Sequence, residues 1–225
     1  MIRKRVGILI SGRGSNMSAL IEAAKAPGYP AEIVGVLSNR AAAPGLAVAS
    51  AEGIATASLA QSKFPTREMF EDVMTQILES WDVEIVCLAG FMRVLGEDFV
   101  NHWAGRMINI HPSLLPLYRG LHTHERALTD GATVSGCTVH FVTPGLDEGA
   151  PILQAEVPVL SGDTPETLAA RRQAAVLDAE AVVLATAAVI PIAHERLVTG
   201  VAQGVTGIAS DPRERHIITA DTDME

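Results

Sequence analysis

The sequence predicts an α/β protein built on a doubly wound, mostly parallel, Rossmann-like sheet with an antiparallel C-terminal extension. Three observations predict it. Short apolar runs bounded by turn residues alternate with helical patterns over the first half of the chain, as parallel crossover units require. Those runs are continuously apolar, which suits strands buried on both faces. Of the 225 residues, 48% are apolar and only 4% aromatic, so the core is aliphatic and large enough to need neither disulfide nor structural metal. The reading is a single domain over residues 1–200, with an N-terminal half at about 1–105 and a second half at about 106–200. An irregular tail occupies 201–225.

The elements follow in order. Val6 to Ile10 is a buried strand. Ser11-Gly12-Arg13-Gly14-Ser15-Asn16 is a Gly-rich loop, and a helix runs from Met17 to about Lys25. Ala31 to Leu37 is a second strand. Ala43 to Glu52 is a helix with Pro44 in its first turn and Gly53 ending it. A short strand at Ala55 to Leu59 precedes a helix opened by Pro65-Thr66 and running to about Ser80. Val83 to Ala89 is the fourth strand, Gly96 to about Trp103 a short helix, and Met107 to His111 the central strand, with Gly105-Arg106 as the turn before it. Thr123 to Asp130 is a helix stopped by Gly131. Gly136 to Val142 and Ile152 to Val159 are strands joined by a long Gly- and Pro-containing loop, of the kind that is shaped for binding. Gly162 to Glu166 caps a long helix ending near Pro191.

The stretch Asn109-Ile110-His111-Pro112-Ser113-Leu114-Leu115-Pro116 carries the chemistry. Pro112 and Pro116 lack the N–H of a central strand, so the strand stops with Asn109 and His111 at its carboxyl end. Spaced by two, they point to one side of the pleat. Ligands bind at the carboxyl ends of strands in open α/β sheets. An amide there stabilises a developing oxyanion and an imidazole moves protons, which is the equipment of acyl transfer. The plainer alternative is that both residues cap a turn. The first loop lies between a strand and a helix N-terminus, where backbone N–H groups meet an anion. It lacks the third Gly of a dinucleotide fingerprint, since Met17 stands there, and it lacks the Lys of a P-loop. It reads as a monophosphate cradle, with a tight turn and cap as the alternative.

Formal net charge is −9, which argues against nucleic acid as a partner but not against a small phosphorylated ligand. Cys87 and Cys137 fall in strands and read as free thiols in a reducing cytosol. The apolar run after the basic start Met1 to Arg5 is too short for a secretory signal, and Ala181 to Ile192 is too short for a membrane span. The expectation is a soluble, unprocessed, cytoplasmic protein, monomeric or homodimeric. His111, His122, His124, Cys137 and His140 match no strong zinc spacing, so no metal is expected.

Taken together, the first loop, Gly90-Phe91-Met92-Arg93, the Asn109 to Pro116 block and Leu146-Asp147 occur in the order of the folate-dependent formyltransferase family, which the chain resembles over about residues 5–170. The Ser-Gly-x-Gly-Ser-Asn loop and the short length point to the branch acting on glycinamide ribonucleotide. The resemblance implies formyl transfer from 10-formyltetrahydrofolate, in purine biosynthesis, with a nucleotide-binding first half and a folate-binding, catalytic second half. It implies Asn109, His111 and Asp147 as the catalytic residues; unaided, Asp147 reads as a turn residue before Gly149. It implies that Gly14, Ser15, Asn16 and Gln173 bind the substrate phosphate and ribonucleotide. Met92, Arg93, Val94, Leu95, Phe141, Val142 and Thr143 then shape the folate pocket, Arg67 and Arg93 meet the glutamate tail, and Arg106, His122 and His140 line the site. One departure stands out: Ala175-Val176-Leu177 occupies the place of the family's Glu-His pair on the late helix, which puts ribose recognition in doubt. The alternatives weighed are a formyltetrahydrofolate hydrolase, a methionyl-tRNA formyltransferase, and a non-catalytic folate or nucleotide binder. The first two need an additional domain.

Overall fold

In the computed structural model, which describes residues 3–172 and 217–218, the apolar runs form one sheet. Its strands are β1 (Lys4–Ile10), β2 (Ala31–Ser38), β3 (Ala55–Ser58), β4 (Ile85–Leu88), β5 (Met107–His111), β6 (Val134–Phe141) and β7 (Pro151–Pro158), with a two-residue strand β8 (Ile217–Ile218) beside β7. The helices are α1 (Ser15–Ala24), α2 (Pro44–Ala51), α3 (Arg67–Ser80), α4 (Glu97–His102) and α5 (Thr123–Thr129). Residues 165–172 are also helical. The expected end of that helix near Pro191, Gln173, the Ala175-Val176-Leu177 departure and most of the expected irregular tail lie outside the described residues.

Strand order is β3-β2-β1-β4-β5-β6-β7-β8. The first five are parallel, and β6 and β7 are each antiparallel to the strand before. The order reverses between β1 and β4, which makes the crevice at their carboxyl ends the topological switch point. Side chains alternate between two cores, one on each face. Val6, Ile8 and Ile10 of β1 pack with Met17, Leu20 and Ile21 of α1, while Leu9 packs with Phe70, Met74 and Leu78 of α3. Each such fully buried aliphatic side chain contributes about 1.5–3 kcal/mol.

The expected boundaries hold within a few residues, with instructive differences. α1 begins at Ser15, earlier than the apolar pattern suggests, because Gly14 takes a left-handed conformation (φ 72°) as its N-cap. Ser15 and Asn16 therefore belong to the first helical turn. α3 begins as expected, with the Thr66 side chain accepting from Met69 N–H at 3.2 Å. Pro165 opens the last described helix, where Thr164 and Thr167 exchange side-chain to backbone bonds.

Three buried polar side chains hold the loops in place. The Thr138 hydroxyl on β6 donates to the Ser113 carbonyl (2.7 Å) and accepts from Leu115 N–H (2.9 Å) and Gln154 Nε2 (2.8 Å). Gln154 also donates to the Leu115 carbonyl. This network pins the Pro-Ser-Leu-Leu-Pro loop, which contains a cis Leu115–Pro116 peptide, onto the sheet. On α3, Glu71 accepts from Gly96 N–H at 2.8 Å, anchoring the end of the loop after β4. Burial raises the Glu71 pKa, outweighing the Gly96 bond and the nearby Arg67.

Thr138→Val keeps the shape but strands the buried Leu115 N–H, so unfolding free energy in urea should fall by about 1–3 kcal/mol. A loss below about 0.5 kcal/mol would show that the hydroxyl does not hold the loop. Glu71 binds its proton more tightly folded than unfolded. Its stabilising contribution is complete below the ordinary glutamate range, about pH 4, and is lost as pH rises through the raised folded value. Glu71→Gln should therefore gain stability relative to wild type between pH 4 and pH 8. Parallel melting curves for the two proteins across that range would refute it.

Candidate active site

β5 ends as its prolines dictate, and its last residues meet a loop that arrives from an unexpected direction. Because β6 is antiparallel, Phe141 pairs with Ile108 and Val142 N–H reaches the Met107 carbonyl at 2.9 Å. The 143–150 segment thus leaves the sheet beside the start of β5. It then folds back so that Asp147 meets His111 near the strand's other end. Asp147 adopts a left-handed backbone (φ 50°) there, a conformation Asp tolerates better than most residues.

His111 is buried, with Nδ1 3.2 Å from Asp147 Oδ2 and Nε2 2.9 Å from the Tyr118 carbonyl. Both ring nitrogens face oxygen acceptors, so the ring is held from both sides. Asp147 Oδ2 also accepts from Gly120 N–H at 2.9 Å. Asn109 is half-buried beside them, its Nδ2 3.1 Å from His140 Nε2. His140 Nδ1 donates to the Phe141 carbonyl (2.8 Å). Burial is the largest influence on His140 and holds its pKa below the ordinary histidine range, against the pull of its Phe141 bond and Asp147. Asn109, His111, Asp147 and His140 therefore form one cluster that combines an amide donor, an imidazole and a carboxylate.

Across the switch point, the first loop and the loop after β4 are joined by Ser11. Its hydroxyl donates to Asn39 Oδ1 at 2.6 Å and accepts from Met92 N–H at 2.7 Å, and its own N–H reaches the Gly90 carbonyl. Gly45 N–H donates to the Gly12 carbonyl, and a Cβ on Gly45 would lie 2.6 Å from Ile10 Cδ1 and 3.1 Å from the Gly12 and Arg13 carbonyl oxygens, so a glycine there eases the close approach of α2. The first turn of α1 holds no acidic side chain and no side-chain cap, leaving its positive end open to an anion.

The other expected site residues are placed as follows. Met92, Arg93 and Val94 are exposed, Leu95 is half-buried, and buried Phe91 anchors the loop beneath them. The Met92 N–H is engaged by Ser11 and so is not available to a ligand. Phe141 and Val142 each pack against one of the two cores, and Thr143 is exposed. Arg67 lies 3.8 Å from Glu71 and lines a cavity of about 400 Å³ between α3 and α4, which none of Asn109, His111 and Asp147 lines. Arg106 sits at the amino end of β5, stacked on Trp103 and donating to the His102 carbonyl. His122 is exposed at the start of α5, 3.4 Å from Glu125. The backbone groups of Tyr118 and Gly120, and the Ser11 hydroxyl, are the contributions the motif reading missed. Gly120, three residues before the helix, is the one sequence hint of them. Among the described residues no cluster of His, Cys, Asp and Glu is placed to hold a metal ion, and no helix is long and apolar enough to cross a membrane.

A strand-end Asn and His stand with a returning carboxylate, and an uncapped helix N-terminus lies across the switch point. Residues 4–186 match the family model described as Formyl transferase, and the chain belongs to that family. It is 48% identical over 166 residues to the phosphoribosylglycinamide formyltransferase of Escherichia coli, covering 74% of this chain and 78% of that protein. It is 53% identical over 171 residues to the trifunctional purine biosynthetic protein adenosine-3 of Drosophila pseudoobscura pseudoobscura, 75% of this chain but 12% of that protein. The chain spans less than a fifth of the trifunctional relatives it matches. The crystal structure of phosphoribosylglycinamide formyltransferase from Brucella melitensis superposes with a TM-score of 0.80 at 52% identity, covering 85% of this chain and 98% of that one.

Ser11→Ala removes the bridge between the two loops of the crevice. It should weaken a nucleotide monophosphate-type ligand and a pterin-type ligand together, each by about five- to tenfold in calorimetric titration. Loss of affinity for one class alone would refute the bridging role.

Proposed function

We propose that the chain transfers the formyl group of 10-formyltetrahydrofolate to the amine of glycinamide ribonucleotide, a step of de novo purine biosynthesis in the cytoplasm. The observation that carries the reading is the His111–Asp147 contact beside Asn109 in a member of the formyl transferase family. The substrate amine attacks the formyl carbon, a new C–N bond forms and the carbonyl oxygen gains negative charge. Asn109 Nδ2 and the His111 Nε2–H are the donors for that oxygen. The Tyr118 carbonyl that holds Nε2–H here is a neutral acceptor, and an oxyanion is a stronger one. Asp147, 3.2 Å from Nδ1, keeps the imidazole correctly turned. As the bond to the folate nitrogen breaks, that nitrogen takes up the proton the amine gives up, and the His111–Asp147 pair supports that transfer.

The remaining roles are those the family resemblance implies. Gly14, Ser15 and Asn16 at the head of α1 hold the substrate phosphate, together with Gln173, which lies outside the described residues. Exposed apolar Met92 and Val94, with Leu146 on the 143–150 segment, are the surfaces a flat pterin would cover. Arg93 and Arg67 meet the glutamate tail.

His111→Ala and Asp147→Asn should each lower kcat by about 10²–10⁴ while leaving the Kd of a folate analogue within about threefold. Near-normal turnover in either would remove its assigned role. Formate released at the same rate without glycinamide ribonucleotide would assign the site to hydrolysis instead.

A further inference from the structure

Resting on that functional reading, we propose that His140 is a positioning residue that sets which way the Asn109 amide faces, by acting as a neutral hydrogen-bond acceptor. His140 is paired with Asn109 across β5 and β6, at the point where β6 slips register against β7 and leaves Ile152 as the extra residue. The buried imidazole has two polar neighbours of opposite kind. At Nδ1 stands the Phe141 carbonyl, 2.8 Å away, which can only accept, so Nδ1 carries the hydrogen. In the neutral ring this leaves Nε2 with a lone pair, and Nε2 faces the Asn109 carboxamide at 3.1 Å.

A lone pair there can be met only by the NH₂ end of the amide. One N–H of Asn109 is therefore consumed by His140, and the other is left to point at the reacting oxygen. With the amide turned over, Oδ1 would face that oxygen and repel it. The ionisable groups facing the ring are Asp147, whose Oδ1 is 3.7 Å from Nε2, and His111, whose ring centre is 6.5 Å away. A proton on Nε2 would replace the acceptor with a donor, release Asn109 and compete with His111 for Asp147. Burial among the strands works against that proton. His140 thus acts through Asn109 without touching the substrate.

The test uses the full chain in two measurements. In ¹⁵N-imidazole spectra at neutral pH, with His140 assigned by comparison with His140→Gln, the ring should be the neutral tautomer bearing its hydrogen on Nδ1. An Nε2–H tautomer or an imidazolium overturns the proposal, whatever the variants do. In steady-state assays, His140→Leu should lower kcat about 100-fold with both KM values within about threefold. His140→Gln, whose Oε1 supplies an acceptor, should recover to within about tenfold of wild type. His140→Leu with wild-type kcat, or His140→Gln no better than His140→Leu, overturns it too. If wild type itself transfers no formyl group, the functional reading fails and this inference falls with it. A failure confined to the variants or the tautomer leaves that reading standing.

Discussion

The short contact between His111 Nδ1 and Asp147 Oδ2 is the constraint on which the rest of this structure turns. It joins a strand end to a loop that belongs to the antiparallel part of the sheet. To make it, β5 must stop where Pro112 stops it, and the 143–150 segment must run back along the strand. Asp147 must also accept a left-handed backbone. A buried polar contact of this kind persists only when its remaining lone pairs and N–H groups are satisfied. Here the Gly120 N–H and the Tyr118 carbonyl do that, so the loop after β5 is part of the site and more than a connection.

Most of the supporting bonds run to main-chain atoms. Gly120, Tyr118, Phe141, Gly96 and Leu115 each contribute a backbone group to a functional or anchoring side chain. Such partners are unaffected by most side-chain substitutions. The side chains that bridge segments in this way are few: Thr138 and Gln154 beneath the proline loop, Ser11 between the two crevice loops, and an acceptor oxygen at position 71 under Gly96. Each sits where two segments distant in sequence must keep one relative position.

The parallel part of the fold was legible because its signals are local. Continuous apolar runs, the Thr66 cap, Pro44 at a helix start and Gly131 at a helix end all act within a turn or two of themselves. The carboxyl-end placement of Asn109 and His111 was legible for the same reason, since Pro112 interrupts the strand directly. Asp147 was not legible from its own surroundings, because its meaning depends on a fold-back of the loop; only the family resemblance singled it out. The roles of Ser11 and His140 were hidden for a related reason. Ser11 acts across strand neighbours set by sheet order, and His140 acts through the register of β5 on β6, neither of which periodicity encodes. Gly14 shifted the start of α1 because a backbone conformation, rather than an apolar pattern, decides where that helix begins.

The direction of β6 has one more outcome. Since the chain departs beside Met107 and must return to His111, the reach of the carboxylate is measured out by the residues between Thr143 and Asp147. An extended residue spans roughly 3.3 Å, about the whole length of the His111–Asp147 contact. Segment length, more than the identity of Pro144 or Leu146, is then what evolution or an engineer must preserve. The exposed Pro144 and Leu146 have room to vary, whereas a Cβ on Gly145 would meet the Glu148 side chain, and a single deletion would withdraw the carboxylate from the imidazole it serves.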